Sequence, residues 1–140
     1  MIYISKYFTI EDAFPKIINT QLHLLTDGTI QRLFFIFDKM DQVRDFFGKP
    51  LNIHSAYRSP NYNRSVGGAP NSSHMASKMN EAAIDFHVDG LDCSEAQKMI
   101  LEADMLNKWE MRMENIGAHP TWIHLDTRVP VPGHPRFFIP

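Results

Sequence analysis

The chain has 140 residues, of which 44% are hydrophobic and 21% are charged. These values are typical of a soluble globular protein, and we expect a single domain over residues 1–140. The formal net charge of −2 argues against a nucleic-acid-binding protein, which needs a basic excess or a strongly basic face. Because Cys93 is the only cysteine, an internal disulfide and a cysteine-rich zinc site are both excluded. Any metal must therefore be held by histidine and carboxylate.

The N-terminus and the apolar runs give expectations about location. Residues 1–6 lack the basic stretch and long apolar core of a secretory signal. No apolar run approaches the roughly 18 residues that a membrane span requires. We therefore expect a protein made in the cytoplasm without a signal peptide and without membrane contact. If it acts outside the cytoplasm, another factor must deliver it.

Two helices are predicted in the first third of the chain. Thr9 suits an N-cap and Asp12 stands in the capping-box position, which indicates a short helix starting there. The segment from Asp27 to Phe47 is predicted to be a long helix, because its apolar residues follow the helical period and Gly48 ends it. The expected core face of this long helix consists of Ile30, Leu33, Phe34, Phe37, Met40, Val43 and Phe47.

Strands and a loop are predicted next. Residues 51–55 alternate apolar and polar residues, which favours a strand, and residues 82–88 read as a second strand. Between them, residues 59–73 are rich in Pro, Asn and Gly and show no periodicity. A loop of this length in a small domain is usually functional or disordered.

The second half of the chain predicts one more helix and a strand pair. Asp92 is the expected N-cap of this helix, with Glu95 at the matching box position. Its expected apolar face is Ala96, Met99, Ile100, Ala103 and Leu106. Residues 112–116 and 121–126 read as paired strands, and the proline-rich tail 129–140 as an extended strap. This order of elements predicts an α+β fold.

Two histidines and an aspartate on these elements suggest a metal site. His74, Asp85 and His124 would supply the two imidazoles and one carboxylate of a hydrolytic zinc site, which keeps a fourth position for water. By the period of two on a strand, Asp126 shares a face with His124, and His87 shares a face with Asp85. Asp126 and His87 are therefore candidates for a group that orients a ligand, for the general base, or for an alternative metal ligand. By spacing alone the signal is weak, because seven histidines and sixteen acidic residues form many accidental triplets.

Three segments in the right order carry a resemblance to a known family. Residues 55–74 read SAYRSPNYNRSVGGAPNSSH, residues 83–86 read AIDF, and residues 116–128 read IGAHPTWIHLDTR. Together they resemble the zinc D-Ala-D-Ala carboxypeptidase family. Its relatives include phage and bacterial peptidoglycan peptidases, and the hedgehog signalling domain shares its fold. The resemblance implies a small antiparallel sheet that carries the zinc site and packs against helices.

The resemblance also implies roles for individual residues. It implies zinc (Zn²⁺) ligands at His74, Asp85 and His124. It places Arg58 near the substrate, where a guanidinium suits a peptide carboxylate or a developing oxyanion. The alternative for Arg58 is a structural ion pair that fixes its loop. Ser73 is a candidate contact to a ligand or the substrate, or else an ordinary turn serine.

The spacing between two of the implied ligands departs from the family pattern. The family usually has His-x-x-Gly-x-Ala-x-Asp, whereas His74 and Asp85 are eleven positions apart, four more than usual. The position of the usual histidine, counted back from Asp85, holds Lys78, and the usual glycine is Glu81. The simplest interpretation is a four-residue insertion within residues 75–81. Otherwise the site is degraded, and His87 is the candidate substitute ligand.

The general base is the second departure. Many relatives place Glu or Asp three residues before the last histidine ligand, where this chain has Thr121. Asp126 is the predicted replacement, with a carboxylate that only orients a ligand imidazole as the equal alternative. Glu114 and His119 are weaker candidates.

The resulting functional hypothesis is a zinc metallopeptidase, of D-Ala-D-Ala carboxypeptidase or endolysin type, that cleaves peptide bonds in peptidoglycan stem peptides. A small single domain suits a phage lysin or a tail-associated peptidase. The expected partner is a peptidoglycan peptide, with no nucleic acid and no membrane. The alternative is a non-catalytic wall-binding or phage structural module that keeps the fold. The oligomeric state is not predicted.

Overall fold

The structure is a computed structural model, and it describes residues 2–14, 25–79 and 81–140. Its helices are α1 (Ile10–Ala13), α2 (Asp27–Phe47), α3 (Pro60–Ser65), α4 (Cys93–Glu102) and α5 (Met105–Trp109), with one 3₁₀ turn at Ser73–Met75. Its strands are β1 (Leu51–Ser55), β2 (Ala83–Val88), β3 (Arg112–Glu114), β4 (Ile123–Asp126) and β5 (Phe137–Phe138). The predicted α+β class is confirmed.

The strands form one sheet in the order β1-β2-β4-β3-β5. The first four pair antiparallel, and β5 adds to β3 in the parallel direction, with Met113 opposite Phe137. The expected strap of the tail is thus a short fifth strand, and the sheet is not purely antiparallel. Among the described residues, no helix is long and apolar enough to cross a membrane.

Alternation along the strands separates an apolar face of the sheet from a polar one. Ile84 and Phe86 of β2 are fully buried, as are Ile123 and Leu125 of β4. These side chains face the helices, and both α2 and α4 contact β2. Because successive side chains on a strand point to opposite faces, Asp85 between Ile84 and Phe86 must point away from this core. The hydrophobic core therefore supports a sheet whose other face is free to carry polar chemistry.

Helix α2 has the predicted bounds, and its ends show why. The Thr26 hydroxyl accepts a hydrogen bond from the Thr29 N–H at 3.1 Å, which satisfies one of the free donors of the first turn. At the other end Gly48 has φ +64°, and its N–H donates to the Arg44 carbonyl at 3.0 Å. This left-handed residue closes the helix as the sequence predicts. In α1, the Asp12 carboxylate accepts from the Thr9 N–H at 2.8 Å, which confirms that cap.

The predicted loop over residues 59–73 is wrong in part, because it contains α3. The Ser59 hydroxyl accepts from the Tyr62 N–H at 3.1 Å, and Pro60 occupies the first turn. Serine at the N-cap followed by proline is a helix-start signal. This signal stood in the sequence but was outweighed by the Gly- and Pro-rich residues after it.

The predicted helix after Asp92 is two helices. Asp92 caps α4 as expected, accepting from the Ser94 N–H at 3.2 Å. The helix ends at Glu102, however, and Asp104 takes a left-handed conformation with φ 55° before α5 begins. The chain therefore turns before Leu106, which is buried as part of α5 rather than of α4.

Three side chains depart from the predicted apolar faces. Phe34 of α2 is 45% exposed, whereas its neighbour Ile36, absent from the predicted stripe, is fully buried. Met99 of α4 is 39% exposed, and Ala103 after it is also exposed. The helical period predicts the spacing of the buried residues, but it does not predict which residues lie at the margins of the buried face.

A pair of phenylalanines on α2 tests this assignment of faces. Phe37 is fully buried and packs against Phe8, with ring centroids 5.3 Å apart, whereas Phe35 is 51% exposed. Phe37→Ala removes a large side chain from a packed core, so we expect it to lower the free energy of unfolding by about 3–5 kcal/mol. Phe35→Ala should lower it by less than about 1 kcal/mol. Urea denaturation followed by circular dichroism measures both, and equal losses would contradict the assignment.

Candidate metal centre

The polar face of the sheet brings site residues from four strands into one row. Ser55 of β1 pairs with Asp85 of β2, and Asp85 pairs with His124 of β4. Because Arg112 pairs with Asp126, the same antiparallel register places Glu114 of β3 opposite His124. Directly paired residues face the same side of a sheet, so these side chains lie together.

His74, Asp85 and His124 form a compact cluster. One ligand-type atom from each lies within 4.8 Å of the others. Asp85 stands between the two rings, with Oδ1 2.9 Å from His124 Nδ1 and Oδ2 3.2 Å from His74 Nε2. The three side chains are between 4% and 12% exposed. Two imidazoles and one carboxylate are the donor set of a hydrolytic zinc site, so the residues present fit a bound zinc ion.

The backbone holds His74 in the orientation that such a site needs. His74 sits in the 3₁₀ turn, and its Nδ1–H donates to the Ala56 carbonyl at 2.8 Å. The Arg58 N–H donates in return to the His74 carbonyl at 2.9 Å. These two bonds tie the turn to the chain that follows β1. With Nδ1 occupied, Nε2 is the nitrogen left to face the cluster.

Asp126 fixes the second imidazole in the same way. Its Oδ2 accepts from His124 Nε2 at 2.9 Å, so His124 Nδ1 faces Asp85. Both oxygens of Asp126 also accept from Arg112, at 2.9 Å each, and the carboxylate is 1% exposed. A carboxylate that orients a ligand histidine is a recurrent second layer of metal sites. The geometry thus favours the orienting alternative for Asp126 over the predicted general base, because neither oxygen is free to reach a water.

The charges of the cluster perturb one another strongly. Burial would raise the pKa of Asp85, but hydrogen bonds from His124 and His74 hold it well below its usual range. Burial would lower the pKa of His124, but bonds to Asp126 and Asp85 raise it to about 9. Burial would likewise raise the pKa of Asp126, but hydrogen bonds from His124 and Arg112 lower it. In the absence of metal the imidazole is therefore a cation between two anions.

The long segment between His74 and Asp85 leaves the cluster intact. The Ala76 carbonyl accepts from Thr29 Oγ1 at 3.1 Å and from Arg32 Nε at 2.7 Å, which docks the start of the segment on α2. Near its end, the Glu81 carboxylate pairs with Arg128 Nε and Nη2, at 3.1 Å each. The extra residues are thus held at both sides of the loop, although residue 80 of the predicted insertion lies outside the described residues.

Arg58 reaches the cluster from the chain after β1. Its Nη2 lies 3.6 Å from Asp85 Oδ2, its Nε donates to Ser55 Oγ at 3.2 Å, and its side chain is 20% exposed. Asn63 of α3, 3% exposed, approaches Arg58 Nη1 at 3.5 Å and donates to the Ala69 carbonyl at 2.8 Å. A Cβ at Gly68 would lie 2.0 Å from Asn63 Oδ1. Glycine is therefore required at position 68 for this close approach.

Comparison with known proteins assigns the family. The family model described as Peptidase M15 matches residues 14–126, which is most of the chain. The chain belongs to the Peptidase M15 family. This family consists of zinc D-Ala-D-Ala carboxypeptidase-like metallopeptidases, as the sequence resemblance indicated. No curated protein and no solved structure matches the chain.

Within this M15 chain the remaining candidate residues take different places. His87 is not part of the cluster and instead contacts His54. Ser73 is 6% exposed in the turn that carries His74, which favours a turn role over contact with a substrate. Thr121 and His119 are exposed and precede β4.

Glu114 is a partly exposed acidic side chain at the border of the cluster. Its Oε2 lies 4.0 Å from His124 Nδ1, and its side chain is 26% exposed, against 1% for Asp126. In the sequence Glu114 was only a weaker candidate, and Arg112 and Asn63 were not predicted. The alternation of Arg112, Met113 and Glu114 was a usable signal, because it puts both charged residues on one face of β3. Their distances from the cluster depend on strand register, which no local pattern supplies.

The raised pKa of His124 predicts how the stability of the metal-free M15 domain depends on pH. The folded-state pKa of about 9 exceeds the ordinary value of 6.5, so this contribution is complete below about pH 6.5 and is lost as pH rises through 9. We expect the free energy of unfolding to fall by about 1–3 kcal/mol over that range after chelation of metal. Urea denaturation across the range measures it. In His124→Gln this loss should disappear, and an equal loss in that variant would contradict the prediction.

Proposed function

We propose that the protein is a zinc-dependent peptidase that hydrolyses peptide bonds of bacterial peptidoglycan stem peptides. The observation that carries this proposal is the convergence of His74, Asp85 and His124 on one face of the sheet in a member of the M15 family. A function of phage lysin or tail-associated type is part of the proposal and rests on the sequence resemblance alone.

The proposed metal ligands are His74 Nε2, the Asp85 carboxylate and His124 Nδ1. The second ring nitrogen of His74 is bonded to the Ala56 carbonyl, and that of His124 is bonded to Asp126. The Asp85 carboxylate also lies near Arg58. When bound there, zinc supplies a water whose pKa is lowered to roughly 7 and a Lewis acid for the scissile carbonyl. Imidazole and carboxylate donors in a nearly dry setting suit zinc better than the oxygen-preferring Ca²⁺ or Mg²⁺.

We assign the proton transfers to Glu114. Its side chain borders the cluster and keeps partial access to solvent, so it can take a proton from the attacking water and deliver it to the leaving amine. Asp126, with both oxygens bound to Arg112, holds the ring of His124 instead.

We assign substrate binding to Arg58. Its guanidinium is aligned by Ser55 and Asn63 and is still 20% exposed, so donor hydrogens remain available to a ligand. A planar guanidinium binds a peptide carboxylate, or the oxyanion that develops on the attacked carbonyl, through paired hydrogen bonds. The contact to Asp85 is long, at 3.6 Å, which leaves Arg58 able to shift toward a substrate.

Treatment of purified peptidoglycan with the zinc-loaded protein tests the proposed activity. We expect new amine termini from the wild type and none from His124→Ala, because the variant lacks one ligand. Amino-acid analysis of the products distinguishes release of terminal D-Ala from cleavage within the stem or cross-bridge. Zinc and peptidoglycan binding without any new amine would refute the peptidase proposal and establish the non-catalytic module.

Two isosteric substitutions separate the roles of the acidic residues. Glu114→Gln should lower kcat by about 10²–10⁴-fold and leave zinc content unchanged, because only the proton acceptor is lost. Asp126→Asn should weaken zinc binding by about 10–100-fold, since the ring of His124 loses its anchor. Metal analysis and turnover of the same samples measure both. Glu102→Gln, on the exposed side of α4, is the matched control, with an exposed side chain of 68%.

The opposite pattern would overturn the assignment. If Asp126→Asn kept its zinc and lost turnover while Glu114→Gln stayed active, Asp126 would be the base. Loss of zinc in Glu114→Gln would make Glu114 a ligand instead.

A further inference from the structure

A second pair of imidazoles lies beside the cluster and has no role in the proposed reaction. His54 Nε2 and His87 Nδ1 are in hydrogen-bond contact, with ring centroids 4.7 Å apart and ring planes at 89°. In the part of the chain that the structure describes, neither ring shows another hydrogen-bond partner. We call His54 and His87 the edge pair, because β1 is an edge strand of the sheet.

Strand register and a bulge bring the edge pair together. Asn52 of β1 is directly opposite His87 of β2, and the pairing shifts between Ile53 and Ser55, where His54 is the extra residue. A bulge redirects the side chain of its extra residue. Asn52 and His87, as a cross-strand pair, have Cβ atoms roughly 5 Å apart on one face. The two ring nitrogens therefore meet from two paired strands, and Asn52 lies on the same face as His87.

The surroundings leave both rings reachable and favour the neutral form of His54. His54 is exposed and His87 is half-buried, so an ion can arrive from solvent. Burial lowers the pKa of His54, and His87 lowers it further against the opposite effect of Asp85. A neutral imidazole is the form that binds a metal.

We propose that the edge pair is an accessory binding site for a divalent transition-metal ion such as zinc. The ligands are His54 Nε2 and His87 Nδ1, and water, or the carboxamide oxygen of Asn52 opposite His87, fills the remaining positions. The ring that donates in the metal-free state moves its proton to its other nitrogen, so binding releases no net proton. Imidazole nitrogen selects zinc, nickel or copper over Mg²⁺ and Ca²⁺.

The accessory site differs from the cluster in its position and in its expected affinity for metal. His87 follows Asp85 by two residues on β2, which is about 7 Å along a strand. The ions of two-metal catalytic sites are only about 3.5–4 Å apart. The accessory ion therefore lies beside the cluster and shares no ligand with it. With two imidazoles and more solvent, it binds more weakly than the cluster does.

Zinc titration by calorimetry tests the proposal without any activity assay. The metal-free wild type should take up about two zinc ions per chain in two steps of different affinity. His54→Ala and His87→Ala should each lose the weaker step and keep the tighter one. A cluster variant, His74→Ala, should lose the tighter step and keep the weaker one, so failure of the proposed function and failure of this inference are distinguishable.

Controls exclude a general loss of histidine or of structure. His134→Ala removes an exposed histidine of the tail and should keep both steps. Circular dichroism should show the wild-type fold in every variant. Copper bound to the His74→Ala variant should show two nitrogen ligands by electron paramagnetic resonance, and fewer after His54→Ala is added. A weaker step that is missing from the wild type, or that persists in both edge-pair variants, would overturn the proposal.

Discussion

The site depends on two carboxylates that the fold holds almost out of water and that must therefore be paired with histidine and arginine side chains. Asp85 and Asp126 lie on one face of adjacent strands with His124 between them, and each has a further partner outside, His74 for Asp85 and Arg112 for Asp126. A buried anion without partners is strongly destabilising. Hydrogen-bond donors and carboxylates therefore have to alternate along this line, and every member fixes the place of the next.

This alternation constrains the strands as well as the side chains. His124 reaches Asp85 and Asp126 only in the observed register of β2, β4 and β3. A shift of one residue would turn the apolar residues to the polar face and bury the charges in the core. The hydrophobic effect and the charge pairing thus select the same register, one from each face of the sheet. Such agreement between interactions is what gives a sequence a single structure.

Loops around the site are held by bonds that do not depend on loop length. The His74 turn is tied to Ala56 and Arg58 through the backbone, and Ala76 is tied to α2. Lengthening a loop between two fixed points costs little, because its closure entropy grows only with the logarithm of length. This explains why a His74–Asp85 spacing four residues longer than the family pattern still brings both side chains together.

The sequence allowed prediction of what local patterns determine. Periodicity and caps located α2, β1 and β2, because these signals act within one element. The break at Asp104 was missed, since a left-handed aspartate has no strong local signature. The three clustered side chains came from resemblance, and spacing alone could not select them. The sequence could not predict that both oxygens of Asp126 are bonded, because their partner, Arg112, comes from a neighbouring strand.

The two faces of the sheet serve different purposes: the apolar face stabilises the fold and the polar face carries the metal-ligand cluster. A buried network of charges is often no more stable than apolar residues of the same volume, so packing alone does not account for charges at these positions. On β2 and β4 the core is built by alternate residues, and Asp85 and His124, which lie between them, belong to the cluster. Core substitutions should therefore act mainly on stability and polar-face substitutions mainly on metal and substrate. Asp126 belongs to both groups, because it is fully buried and yet aligns the ring of His124.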